Sequence, residues 1–156
     1  MNHSIRQLRG DEPLPVVLLS LADPDQGKIQ TYGALGCVYV LERGGAIVGV
    51  YVLMAQADNQ VEVMNVAVDE RFQGQGLGTQ LVKHAIAEAR RMKFAQIMIK
   101  TGSTGVAQLY VYQKCGFRMA HIVHDHFINE YEQPIFENGI QLRDQVVLVQ
   151  SLQESG

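Results

Sequence analysis

Val66-Ala-Val-Asp-Glu-Arg-Phe-Gln-Gly-Gln-Gly-Leu-Gly-Thr79 is the stretch on which the reading of this chain turns. It begins in Val61–Val68, which is apolar apart from Glu62 and Asn65, the composition of a strand covered on both faces. Beyond it, Leu77, Leu81, Ala85 and Ala89 recur every four residues, with Val82 and Ile86 beside them. Gln80, Lys83, Glu88 and Arg91 fall on the other side, so the spacing predicts an amphipathic helix from Gly76 to about Met92. A strand therefore ends, a short loop turns, and glycines at 74, 76 and 78 open a long helix. The first N–H groups of a helix have no internal partner, and its dipole adds partial positive charge there. Glycine lets the backbone take positive φ and approach an anion closely. The segment predicts a bound phosphate or pyrophosphate. A tight strand-to-helix turn also favours glycine, so the loop alone does not name a ligand.

Two nucleotide motifs are excluded by direct comparison. A Walker A loop needs Lys then Ser/Thr after its last glycine, whereas Gly78 is followed by Thr79 with no lysine. The Rossmann fingerprint needs a third glycine three residues after its second, and Thr79 stands there after Gly76. Its acidic residue about 20 positions on is replaced by Gln96.

Ile5–Leu8 reads as a first strand and Pro15–Ala22 as a helix stopping near Asp23-Pro24. Cys37–Glu42 and Ala46–Ala55 are β-rich runs joined by Arg43-Gly44-Gly45, a hairpin signal. Asp58-Asn59-Gln60 turns the chain into Val61–Val68. Downstream come a strand at Gln96–Thr101, a helix at Thr104–Lys114 ended by Gly116 in the left-handed position, and strands at about Arg118–Phe127 and Gln145–Gln150. A loop with Pro134 and Gly139 separates the last two. The order predicts an α/β (α+β) fold over a single domain, 1–156. Its mixed, mostly antiparallel sheet contains one right-handed parallel β-α-β crossover and has helices on both faces.

The 156 residues suffice for a core without disulfide or metal; 47% are hydrophobic and 19% charged. A net charge of −3 argues against a nucleic-acid partner, which calls for a basic stripe. Cys37 and Cys115 show no metal or CxxC spacing and read as reduced, packed thiols of a cytoplasmic protein. The run Leu14–Ala22 imitates a secretory leader, but Asp11, Glu12, Pro13 and Pro15 interrupt it and it reads as a buried helix. No stretch approaches the length of a membrane span, so no membrane partner is expected.

Arg71-Phe-Gln-Gly74-Gln-Gly76 matches without a gap the acyl-CoA loop Arg/Gln-x-x-Gly-x-Gly/Ala of the GNAT N-acetyltransferase superfamily. Leu109-Tyr-Val-Tyr112-Gln-Lys-Cys-Gly116-Phe117 resembles that family's Leu-Tyr-x-Lys-x-Gly-Phe helix end. The element order agrees from about residue 4 to 150, and Tyr131–Ile140 resembles a bacterial subgroup. The resemblance implies the GNAT acyl-CoA N-acyltransferase fold, acetyl-CoA as co-substrate, and acetyl transfer to the amine of a small molecule or a peptide. It implies that backbone around Gln73, Gly74, Gln75, Gly76, Leu77, Gly78 and Thr79, with Arg71 of the motif, holds the pyrophosphate. It also implies that Val66, Ala67 and Val68 pair with the pantetheine arm. A non-catalytic acetyl-CoA-binding regulatory module is the rival reading.

By the same resemblance Glu62 matches a glutamate base, and Val66 the position whose N–H bonds the thioester carbonyl. Glu62 also reads as a solvated residue at a strand start. Tyr112 matches the family's general acid near the CoA sulfur and is favoured over Tyr110, which lies about 200° around the helix and cannot share that face; the alternative for Tyr112 is a packed aromatic near Gly116. Where many members carry an asparagine, this chain has Gly102-Ser103-Thr104-Gly105, so Ser103 either substitutes weakly or caps the helix. His121, His124 and His126 lie beside Asp125, but a histidine-rich strand end is commoner than a metal site and none is expected. His124, His126 or Glu130 is expected to line the acceptor pocket. Exposed edges among the last strands suit a homodimer.

Overall fold

The computed structural model describes residues 3–153. The elements run β1 (His3–Gln7), α1 (Val16–Ala22), α2 (Gln26–Leu35), β2 (Cys37–Arg43), β3 (Ala46–Ala55) and β4 (Gln60–Val68). A 3-10 turn, Glu70–Phe72, then leads to α3 (Leu77–Arg91), β5 (Gln96–Gly102), α4 (Val106–Lys114), β6 (Arg118–Val123) and α5 (His126–Glu130). β7 (Phe136–Glu137), β8 (Ile140–Gln141) and β9 (Gln145–Ser151) complete the order. Seven strands form one sheet in the order β1-β2-β3-β4-β5-β9-β6, and β7 and β8 pair separately. β4 and β5 are parallel, with α3 as the crossover, and the other pairs are antiparallel. The mixed sheet expected from the sequence is therefore present.

Its two faces are filled by different helices. The predicted stripe of α3 is buried in full: Leu77, Leu81, Val82, Ala85, Ile86 and Ala89 pack with Tyr39, Leu41, Tyr51, Leu53, Val61, Val63, Ile97 and Ile99. Tyr112 and Phe117, from α4 and the turn after it, join that cluster. On the opposite face Leu18 and Leu19 of α1, and Ile29 and Tyr32 of α2, cover Val38, Val40, Val50, Val52 and Ala67. Turn chemistry follows the residues. Gly44 and Gly45 take φ of 60° and 81° in the two-residue connection between Arg43 and Ala46. Gly116, at φ 102°, follows the end of α4 as a left-handed C′ residue.

Two irregularities in β4 create the site. Val52 pairs with Asn65 and Leu53 with Val63, so Met64 is an extra residue, a β-bulge. The bulge resets the alternation of side chains. Glu62 and Asn65, three apart, both face α1 and α2, opposite Met54 and Val52. On its other edge β4 pairs with β5 only from Gln60↔Gln96 to Val63↔Ile99. Beyond Val63 the strands part, and Met64–Val68 has no partner on that side.

Two expectations are corrected, and one helix is added. The strand expected over Arg118–Phe127 ends at Val123, because Asp125 turns left-handed at φ 58° and His126 opens α5. The segment around Pro134 and Gly139 holds the β7–β8 hairpin rather than plain loop. α2 escapes a periodicity search because only Ile29 and Tyr32 of its ten residues are buried. It starts at Asp25, whose carboxylate accepts from the Lys28 N–H at 3.1 Å.

Candidate active site

The glycine loop forms one wall of a groove of about 450 Å³. Asp69 caps the 3-10 turn by accepting from the Arg71 N–H at 2.9 Å. The chain then turns through Gly74 and Gly76 at φ 79° and 80°. Gly76 is the N-cap of α3 and provides no side-chain bond; the first intrahelical donor from it onward is Gln80, bonded to the Gly76 carbonyl at 3.1 Å. The N–H groups of the first turn are thus left for another acceptor. A Cβ on Gly74 or Gly76 would meet nothing within 4 Å, and one on Gly78 only Val68 Cγ2 at 4.0 Å. Positive φ accounts for the first two. Gly78 is helical and uncrowded, so neither packing nor conformation requires glycine there, though a group lying against the helix start would. The residues present fit a bound pyrophosphate.

Val66, Ala67, Val68, Gln73, Gly74, Gly76, Leu77, Gly78 and Thr79 all line this groove. Arg71 and Gln75 do not. The Arg71 guanidinium pairs with Asp69 at 3.0 Å and lies over the Phe72 ring at 5.7 Å. Gln75 accepts from Arg43 Nη1, and Arg43 covers Phe72 at 5.4 Å. Both belong to the rim. Ser103 is exposed, lines neither cavity and caps nothing; its N–H bonds the Asp144 carbonyl at 2.9 Å, and α4 starts at Gly105 without a side-chain cap. Leu21 and Ala22 of α1 and Gln108 of α4 line the groove without having been singled out in the sequence.

A second cavity, about 1060 Å³, opens on the α1–α2 side where β4 and β5 part. Leu21, Ala22, Val66, Gln108 and Tyr112 line both spaces, so these residues mark their junction. Tyr112 is 6% exposed, and burial pushes its hydroxyl up to about 12. Tyr110, by contrast, is 65% exposed, with Lys114 over its ring.

Glu62 stands on the wall of the second cavity, 7% exposed rather than solvated. Burial raises its carboxyl above the usual range; the charge of Lys100, whose Nζ lies 3.4 Å from Glu62 Oε1, partly offsets this. Asn65 braces the same wall by donating to the Leu19 carbonyl and the Tyr32 hydroxyl, both at 2.9 Å. Tyr32 in turn donates to Asp23 at 3.0 Å. Asp23, Asp25, Lys28, His126, Tyr131 and Glu137 complete the polar lining.

The histidines do not converge. His121 and His124 are exposed, and His124 approaches Asp144 at 3.6 Å. His126 alone of the three lines the cavity, where burial lowers its pKa. Glu130 is outside the lining, paired with Lys28 at 3.7 Å. Among the described residues no three metal-ligating side chains come together.

The sequence pattern of the acetyltransferase (GNAT) family matches residues 3–117. The chain is similar to the uncharacterized N-acetyltransferase YvbK of Bacillus subtilis (strain 168), 45% identical over 131 residues that make up 84% of each protein. A GNAT family acetyltransferase from Elizabethkingia anophelis, solved with acetyl-CoA bound, superposes with a TM-score of 0.93 at 38% identity, over 96% of this chain and 98% of that one. A Bacillus subtilis acetyltransferase in complex with CoA gives 0.92 at 41% identity, over 97% and 100%. By its sequence pattern, its parted β4–β5 sheet and the glycine loop that opens α3, the chain belongs to the acetyltransferase (GNAT) family.

Proposed function

We propose that this protein transfers the acetyl group of acetyl-CoA to a primary amine, by direct attack within a ternary complex. The observation that carries the reading is the junction of the two cavities at Val66 and Tyr112, with the buried carboxylate of Glu62 on the wall of the larger one. Acetyl-CoA supplies a thioester carbonyl that an uncharged amine can attack. The first-turn N–H groups of α3 bind the pyrophosphate, and the unpartnered edge Met64–Val68 takes the pantetheine arm as a strand takes a neighbour. These co-substrates are supported by the two similar structures that hold acetyl-CoA or CoA.

An amine of ordinary pKa, about 10.4, is almost wholly protonated at neutral pH. Glu62, with its raised affinity for a proton, removes that proton directly or through water. The Val66 N–H bonds the carbonyl oxygen as negative charge develops on it. Tyr112, still protonated at neutral pH, returns a proton to the departing thiolate. No helix of the described residues is long and apolar enough to cross a membrane; the cytoplasmic placement and the single domain over 1–156 rest on cysteine usage and composition.

The test is acetyl-CoA-dependent release of CoA across polyamines, aminoglycosides, amino acids and short peptides. Turnover with one class supports the reading and names the acceptor. Acetyl-CoA raising the melting temperature, with every amine silent, would favour a regulatory acetyl-CoA-binding module instead.

A further inference from the structure

Lys100 is a primary amine placed inside the cavity built for one. It lies on β5 one residue beyond Ile99, the last residue to pair with β4. Glu62 pairs with Met98 in the parallel register, so Lys100, two residues on, shares the face of Glu62. Its Nζ lies 3.4 Å from Glu62 Oε1, and its side chain, 36% exposed, reaches into the cavity rather than into packing. His126 is the other titratable group that responds to its charge. Along β4, Val66 is two residues beyond the level of Lys100, about 7 Å at strand rise. The flexible four-carbon stem of a lysine spans that distance by changing rotamers.

Among the described residues Lys100 has one carboxylate partner, and that carboxylate is the group we assign as the base. A lysine that only neutralised Glu62 would weaken the base it accompanies. A lysine that delivers its own amine to the acyl donor would use the same contact productively.

We propose that the enzyme acetylates Lys100 on itself when no external amine fills the cavity, an inference that rests on the reading of Glu62 as the base. In this step Glu62 takes a proton from the Lys100 ammonium. The nitrogen then bonds to the acetyl carbon and gives up its second proton to water, the carbon–sulfur bond of acetyl-CoA breaks, and the thiolate leaves with a proton from Tyr112, which is reprotonated from solvent. The product is Nε-acetyl-Lys100 and CoA. The modified side chain has no charge, so Glu62 loses its counter-ion and the cavity its extra amine.

Full-length protein is incubated with trideuteroacetyl-CoA, with and without an accepted amine, and the label is mapped by peptide mass spectrometry. CoA release is followed in the same samples. We expect Lys100 to gain label at least about tenfold faster than the surface residues Lys83, Lys93 and Lys114. The rate is first order and independent of protein concentration; the accepted amine suppresses it, and Glu62→Gln slows it at least tenfold. Labelling of Lys100 no faster than that of the surface lysines, while CoA release with the amine proceeds, overturns the inference and leaves the proposed function standing. A rate that rises with protein concentration overturns it in favour of transfer between molecules. If Glu62→Gln leaves both the labelling and the turnover of the external amine at full rate, the base assignment fails and the inference with it.

Discussion

Glu62 and Lys100 form an ion pair across the last parallel rungs of β4 and β5, 3.4 Å between Oε1 and Nζ, in which the carboxylate is buried and the lysine is not. The two groups push the titration of Glu62 in opposite directions: burial favours its neutral form and the Lys100 charge its ionised form. If Glu62 is the base, kcat/KM for an external amine rises with pH as that carboxyl ionises. Removing the positive charge favours the protonated acid, so Lys100→Met moves this limb to higher pH. Lys100→Arg keeps the charge and leaves the limb in place. A pH profile of the three proteins checks the direction, and a limb unmoved in Lys100→Met would remove Glu62 from the role.

The same carboxyl makes a prediction about stability. Because its folded pKa lies above the unfolded value, the native state binds the proton more tightly between the two, and stability falls as pH rises through that window. Above the folded pKa the cost is fully present. Glu62→Gln, which cannot ionise, should therefore melt higher than wild type at pH 8, by about 2–4 °C for each kcal/mol recovered. That gain shrinks as pH falls toward the unfolded carboxylate range, near 4.3. Thermal melts from pH 4 to 8 would show it, and a constant difference would point to packing instead.

Tyr112 is expected to assist the leaving group rather than to create the nucleophile. A thiol of ordinary pKa, about 8.5, departs near neutrality with modest help. Tyr112→Phe should therefore lower kcat by roughly 10–100-fold, at or below the low end of general-acid effects, with the acidic limb unchanged. With its hydroxyl pushed up to about 12, ionisation of Tyr112 produces no alkaline loss of activity below pH 10. Wild-type kcat in Tyr112→Phe would sink the assignment.

How much of this was legible beforehand depends on the range of the interactions. The glycine loop was readable because its features are local: three glycines, a strand before them and an apolar stripe after them. The junction residues Val66 and Tyr112 were reached only through motif resemblance, since nothing in their spacing brings β4 and α4 together. Lys100 was missed altogether. Its partner lies 38 positions earlier, the register that joins them is parallel, and a lysine at a strand end looks like any solvated charge. The Met64 bulge was equally hidden, so Asn65 and Glu62, three apart, gave no sign of facing the same side. The strand pattern runs on through His126, and only the left-handed backbone of Asp125 stops it and moves His126 onto α5.

Gly78 separates ligand binding from stability. A helical glycine with open space around its missing side chain costs about 0.5–1 kcal/mol relative to alanine. Gly78→Ala should therefore raise the melting temperature of the apo protein by about 1–4 °C. The added methyl also stands where the pyrophosphate would approach, so KM for acetyl-CoA should rise about tenfold or more, equivalent to about 1.4 kcal/mol. Calorimetry and kinetics on the same preparation read both. Tighter acetyl-CoA binding in this variant would place the pyrophosphate elsewhere.

Asn65 holds the two helices that wall the larger cavity together. Its amide donates to the Leu19 carbonyl on α1 and to the Tyr32 hydroxyl on α2, so one buried side chain of β4 fixes both helices. Asn65→Ala removes both bonds, each worth about 1 kcal/mol net, and leaves the Leu19 carbonyl without this partner. The melting temperature should fall by about 5–10 °C. Tyr32→Phe keeps the Leu19 bond but loses both bonds of its hydroxyl, from Asn65 and to Asp23, and should fall by a comparable amount. The functional consequence follows from where α1 ends: Leu21 and Ala22 line both cavities, so a loosened α1 disturbs the junction itself. Below its melting transition Asn65→Ala should therefore show a higher KM for acetyl-CoA and for the amine together. The two constants would move independently if α1 served only as a cover for the sheet.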